Sequence, residues 1–112
     1  RIVSLAGRSY FDEMMASGVR IHLYLPTNLH SKVLVVDDDV GVIGSPNVDM
    51  RSFFLNFELG VFLYDRPQIE ALADGFLKDL ENSETVDPVR FARRPRSLQL
   101  LEDTCRIFSP LF

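Results

Sequence analysis

The sequence predicts an α/β fold in which a mixed β-sheet is flanked by α-helices, and three features of the chain carry that expectation. Short stretches rich in Val, Ile, Leu and Phe, at residues 19–25, 29–36, 40–43 and 57–64, alternate or run apolar as strands do. Residues 2–17, 67–82 and 98–108 instead repeat apolar side chains at helical spacing. Turn-forming groups, among them Gly18, Pro26-Thr27-Asn28 and Asp37-Asp38-Asp39, punctuate the two kinds of pattern.

The first helix draws its apolar face from Ile2, Leu5, Ala6, Tyr10, Met14 and Ala16, and Gly18 is a natural stop just beyond it. In the strand that follows, Val19, Ile21, Leu23 and Leu25 alternate with Arg20, His22 and Tyr24, which makes His22 a surface or packing residue. The next strand, residues 29–36, sets His30, Lys32, Leu34 and Val36 on one face and Ser31, Val33 and Val35 on the other. Its apolar run from Val33 to Val36 predicts burial on both faces. The Asp37-Asp38-Asp39 turn then returns the chain as a hairpin, delivering Gly44-Ser45-Pro46-Asn47 beside the His30/Lys32 end. Residues 47–56 read as a loop with a short helical turn whose Phe53, Phe54 and Leu55 belong to the core. Glu58 lies in the apolar strand FELGVFLY and needs a partner if buried.

Asp65-Arg66-Pro67 opens a helix to about Asn82, with Ile69, Leu72, Ala73, Phe76, Leu77 and Leu80 on its apolar face. Residues 83–97 are rich in polar groups, Pro and Arg and read as a connection. A last amphipathic helix follows through Leu98, Leu101, Cys105 and Phe108, with Pro110 ending it. The whole chain, 1–112, is expected to be a single domain with 83–112 as its C-terminal segment.

Composition bounds the function. The hydrophobic fraction of 46% suits a globular chain. The net charge of −4 and pI of about 5.0 weigh against a nucleic-acid partner. Arg90, Arg93, Arg94 and Arg96 form a local basic cluster that reads either as a solvated linker or as a contact for lipid headgroups. Cys105 is the only cysteine, so no internal disulfide can form. No apolar run approaches the roughly 20 residues that span a bilayer. The start at Arg1, directly in a helical pattern, reads as a fragment of a longer protein, and the fragment itself is expected to be soluble.

The chemistry concentrates in HSKVLVVDDDVGVIGSPN, residues 30–47, which holds H-x-K-x4-D (His30, Lys32, Asp37) followed by G-S-x-N (Gly44, Ser45, Asn47). Six specified positions at fixed offsets arise by chance roughly once in 10^7 to 10^8 tries, so the pattern is specific. His30 and Lys32 point to one side of a strand, one as nucleophile or proton carrier and the other as a fixed positive charge. The Gly-Ser-x-Asn turn adds a hydroxyl, a carboxamide and exposed backbone N–H groups. Together they suit an anionic tetrahedral group such as phosphate. They are a poor metal site, because an ammonium cannot coordinate, and neither metal nor cofactor is expected.

These residues resemble the H-K-D signature of the phospholipase D superfamily. Asn47-Val48-Asp49-Met50-Arg51-Ser52, Asn56-Phe57-Glu58-Leu59-Gly60 and the end of the chain from Ser97 to Phe112 are similar to the C-terminal half of bacterial cardiolipin synthases. The resemblance implies a phospholipase D-like half-domain that contributes one of two H-K-D motifs. It implies formation of cardiolipin from two phosphatidylglycerol molecules through a phosphohistidine, at the bacterial cytoplasmic membrane. Its partners would be anionic phospholipid, a membrane surface reached through the parent protein, and the N-terminal half of that parent or a second copy of the chain.

The catalytic set carried over by the resemblance is His30, Lys32, Asp37 and Glu58. His30 is nucleophile or general acid/base, and Glu58 orients and stabilises its imidazole. Lys32, Ser45 and Asn47 hold phosphate oxygens, and Arg51 contacts a headgroup or pairs with a carboxylate. Asp37, at the strand end and on the opposite parity, suits securing the hairpin. The competing expectations are a phosphodiesterase or nuclease of the same superfamily acting as a dimer, and a fragment inactive in isolation.

Overall fold

A computed structural model describes residues 2–47 and 50–108. They form two compact units, one built from residues 1–23 and 85–112 and the other from residues 24–84. The α/β class is as expected. The strands nevertheless divide between two sheets, where a single mixed sheet was expected.

The second unit holds the motif. Strands β2 (Lys32–Val36), β3 (Val40–Gly44) and β4 (Gly60–Leu63) make an antiparallel sheet in the order β2-β3-β4. Lys32 pairs with Gly44 and Val36 with Val40 across the hairpin, and Gly44 pairs with Gly60 on the other side. The hairpin closes through Asp39 N–H donating to Val36 O at 3.0 Å. Asp37 and Asp38 both take positive φ, +50° and +55°, which short polar side chains tolerate and the twist of a tight hairpin favours.

Helix α4 (Arg66–Glu81) starts with Pro67 in its first turn, where a missing N–H costs nothing. It buries Ile69, and it lies so close to the sheet that a Cβ on Gly41 would stand 3.0 Å from Leu72. Gly41 pairs with Val35 and Leu63, so the helix covers the sheet face of odd-numbered residues on β2 and β3. The other face carries Lys32, Leu34, Val36 and Phe62, of which the three apolar residues are exposed. Burial of β2 on both faces is therefore corrected to partial cover on one, where Val35 is half-buried and Val33 stays exposed. A second correction concerns helix α3 (Met50–Phe54), where Phe53, Phe54 and the following Leu55 are exposed and Ser52 is the buried side chain among those described.

The first unit packs α1 (Ile2–Arg8) on α6 (Arg96–Ile107) and α2 (Phe11–Ala16) on α5 (Pro88–Ala92). The single expected helix over 2–17 is two helices, because the Ser9 hydroxyl donates to Ala6 O at 2.6 Å and tightens the chain into a turn. Gly18 stops α2 as expected. Its φ is +91°, and Gly18 and Val19 N–H groups return to Met15 O and Met14 O at 3.0 Å, as in a Schellman cap.

Strand β1 (His22–Tyr24) pairs with β5 (Ser83–Thr85) and not with the hairpin. Backbone bonds on either side fix that choice: Leu25 N–H donates to Asn82 O at 3.1 Å and Val86 N–H to Ile21 O at 2.9 Å. His22 is half-buried, with Nδ1 3.1 Å from Thr85 Oγ1. The expected connection over 83–97 thus contains a strand and a helix. Asp87 caps α5 by accepting from Val89 N–H at 2.9 Å, ahead of Pro88.

The first unit closes around a charged core. Glu102 is fully buried and accepts from Arg8 Nε at 3.1 Å and Arg94 Nε at 2.7 Å. Arg94 also reaches Asp12 at 2.8 Å and lies 4.0 Å from the centre of the Phe91 ring. Burial works to lower the Arg94 pKa, but its bonds to Glu102 and Asp12 outweigh that and raise it. This corrects the reading of Arg94 as part of a solvated or lipid-facing cluster; Arg90, Arg93 and Arg96 are exposed. Helix α6 runs as expected through Leu98 and Cys105. The stop assigned to Pro110 lies outside the described residues, as do Val48 and Asp49 of the motif region.

Candidate active site

Two parallel strand starts and the strand end between them build the site. Because β2 and β4 both run antiparallel to β3, the residues before β2 and before β4 arrive at the same sheet edge as the end of β3. That edge gathers His30, Lys32, Ser45, Asn47 and Glu58. Asp37 is not among them: it sits in the turn at the far end of β2, on the order of 15 Å of strand from Lys32.

His30 precedes the first ladder residue and is exposed, so the expected strand start at residue 29 moves to Lys32. Lys32 Nζ lies 2.8 Å from His30 Nδ1 and donates to His30 O at 2.7 Å. An ammonium has only donors, so it can bond the ring only through a nitrogen that accepts. The pair is therefore a cation set directly against an imidazole, with Nε2 at 3.4 Å from the same ammonium.

The far side of the edge is locked through Ser45. Ser45 N–H donates to Leu59 O at 2.9 Å, and its hydroxyl accepts from Leu59 N–H at 3.0 Å. The same hydroxyl donates to Glu58 Oε2. Asn56 Nδ2 donates to the other carboxylate oxygen at 3.4 Å. Gly44 makes the approach possible, since a Cβ there would stand 2.6 Å from Leu59 O. These bonds replace the ladder over residues 57–59, which is why β4 begins at Gly60 and not at Phe57 as the apolar pattern predicts. Glu58 thereby has the partners that a carboxylate in this apolar stretch requires.

The turn differs from its expected form in one respect that matters chemically. Ser45 N–H is bonded to Leu59, Pro46 has none, and Asn47 N–H donates to Ser52 Oγ at 3.1 Å. The expected exposed backbone donors at these positions are thus committed within the protein. The polar side chains that line the groove at this edge include Lys32 and Asn47. An open groove of about 590 Å³ runs along this edge, lined by His30, Lys32, Asn47 and the apolar Leu34, Val42 and Phe53. Arg51 is exposed on α3.

Sequence reasoning missed Ser52 and Asn56, which hold Asn47 and Glu58. Both lie in the segments that resemble the family but were given no role there, and only their offsets of five and two residues from those groups hint at the contact. Among the described residues, no group of three or more His, Cys, Asp or Glu side chains is arranged to hold a metal ion. No described helix is long and apolar enough to cross a membrane.

Residues 1–80 match the family described as cardiolipin synthase, PLD-like domain. Over 99% of its length the chain is 47% identical to cardiolipin synthase 2 of Bacillus anthracis and 43% identical to the cardiolipin synthase of Geobacillus sp. strain WCH70. It is 38% identical, over 96% of its length, to the probable cardiolipin synthase YwiE of Bacillus subtilis strain 168. In each case it spans 22% of the relative's own length. No solved structure matches the chain. With the family matched over most of its residues, the chain belongs to the cardiolipin synthase family of phospholipase D-like domains.

Proposed function

We propose that this chain supplies one of two histidine sites in a phosphatidyltransferase that makes cardiolipin from two phosphatidylglycerol molecules and releases glycerol. The observation that carries the reading is the Lys32 ammonium held 2.8 Å from the His30 imidazole at one end of a groove with apolar walls. A phosphodiester needs a nucleophile, neutralisation of its nonbridging oxygens and a proton for the leaving oxygen. Lys32 and the Asn47 carboxamide supply the second of these. Ser45 stands at the same turn and donates its hydroxyl hydrogen bond to Glu58, which in this reading steadies the histidine side of the site.

One histidine attacks phosphorus and forms an N–P bond as the P–O bond to glycerol breaks, and its counterpart protonates the departing glycerol oxygen. The counterpart then takes the proton from a hydroxyl of the second phosphatidylglycerol. That oxygen attacks phosphorus and frees the first histidine. Transfer prevails over hydrolysis where the groove holds water off. No step requires a divalent metal. The counterpart histidine comes from the N-terminal half of a longer parent at the cytoplasmic membrane, or from a second copy of the chain. The exposed Leu34, Val36 and Phe62, on the face that carries Lys32, support a partner half closing over it.

The test is a rapid quench of the complete enzyme containing this segment, turning over phosphatidylglycerol vesicles in EDTA. The expected result is an acid-labile, base-stable phosphoryl adduct on a histidine. Persistence of the adduct in His30→Ala makes His30 the acid/base, and its loss makes His30 the nucleophile. Activity lost in EDTA and restored by a divalent metal overturns the mechanism.

A further inference from the structure

We infer that Ser52 is a positioning residue for the phosphate-binding turn: its buried hydroxyl holds the backbone of Asn47, and so fixes where the Asn47 carboxamide meets the substrate phosphate. The inference rests on the reading of Asn47 given above. Three observations carry it. Ser52 is buried while Arg51, Phe53 and Phe54 beside it on α3 are exposed, so its side chain is the one that α3 turns inward among those described. Its Oγ accepts the Asn47 N–H at 3.1 Å. Pro46 has no N–H, so after the Ser45–Leu59 bond the Asn47 amide is the next backbone donor available to anchor the turn.

Asn47 itself is exposed at the groove, with nothing of the sheet ladder to restrain it. Beyond Gly44 the chain has left β3, and a side chain bonding a charge-developing phosphate must be held to well under 1 Å to act fully. Ser52 supplies that restraint from α3. It touches neither phosphate nor the reacting atoms, and its effect passes through Asn47.

The experiment is a double-mutant cycle in the complete enzyme, with cardiolipin formation from phosphatidylglycerol vesicles as the readout and the melting temperature of each variant measured alongside. Asn47→Ala is expected to lower kcat by about 100-fold, on the scale of losing one transition-state donor. Ser52→Ala is expected to lower kcat by about 10-fold with little change in KM, and to add nothing in the Asn47→Ala background. Ser52→Thr, which keeps the hydroxyl, is expected to recover most of the loss. If Ser52→Ala does not fold, Ser52→Cys, closer in volume and a much weaker acceptor, takes its place. A Ser52 effect that persists undiminished without the Asn47 side chain marks a general structural role and overturns the inference. So does a silent Ser52→Ala where Asn47→Ala is damaging. A silent Asn47→Ala overturns the underlying reading of the site as well.

Discussion

At the scale of single residues, the chemistry of the site turns on which groups hold which. Glu58 has its two carboxylate oxygens bonded by Ser45 and Asn56, so its orientation is set by the protein before any substrate arrives. A carboxylate so fixed can stabilise an imidazolium, while the neutral amide of the same shape cannot. Glu58→Gln in the complete enzyme is therefore expected to lower kcat by at least 100-fold while leaving KM within a few-fold, as steady-state kinetics on phosphatidylglycerol vesicles would read. Unchanged turnover with a lowered melting temperature would make Glu58 purely structural. His30, Lys32, Ser45, Asn47 and Glu58 were all legible in the sequence, because reactive side chains at fixed offsets leave a mark. The hydrogen bonds made with Ser52 and Asn56 were not, because a serine in a short helix or an asparagine in a loop has many ordinary reasons to be there. Asp37 shows the opposite: it belongs to the motif's spacing, yet the hairpin places it at the far end of β2.

At the scale of elements, periodicity located most helices and strands but not their boundaries or partners. Helix α4 and strand β3 lie within a residue of expectation, since apolar spacing and turn chemistry agree there, while β2 ends at Val36 as expected but starts three residues late, at Lys32. The break between α1 and α2 depends on one hydroxyl at Ser9, and the start of β4 on Ser45 standing in for a strand neighbour. Neither is a property of apolar patterning. The Asp87-Pro88 pair did carry a readable helix-start signal, but it lay in a segment whose charge suggested a linker. Buried Glu102 is likewise hidden in an amphipathic helix that reads as though all its acids face water. Glu102→Ala leaves two guanidinium groups facing a void, and Arg94 has only 9% of its side chain exposed to recover solvation. Denaturant unfolding is expected to show a loss of about 3–5 kcal/mol, the usual cost of breaking a buried charge network from one side. A loss below about 1 kcal/mol would mean that the arginines find water without rearrangement.

At the scale of the whole molecule, the chain carries only part of what the proposed two-histidine reaction needs. It spans 22% of the length of its relatives and carries one H-x-K-x4-D motif. A single histidine cannot both form the N–P bond and protonate the oxygen leaving the same phosphorus, because attack consumes the lone pair on one side while the leaving group departs from the other. Water can serve as the acid only slowly, since its pKa of about 15.7 lies far above the working pH, where a general acid is effective. The 112-residue chain alone is accordingly expected to show no transferase activity in its monomer fraction on phosphatidylglycerol vesicles, assayed after size separation. Activity confined to a dimer fraction would mean that a second copy supplies the partner histidine. Activity regained only on adding the remaining part of the parent would assign that histidine to the other half. Robust turnover by the monomer would overturn the two-histidine mechanism, because His30 would then have to find its acid within this chain, where the only other histidine, His22, is half-buried against Thr85.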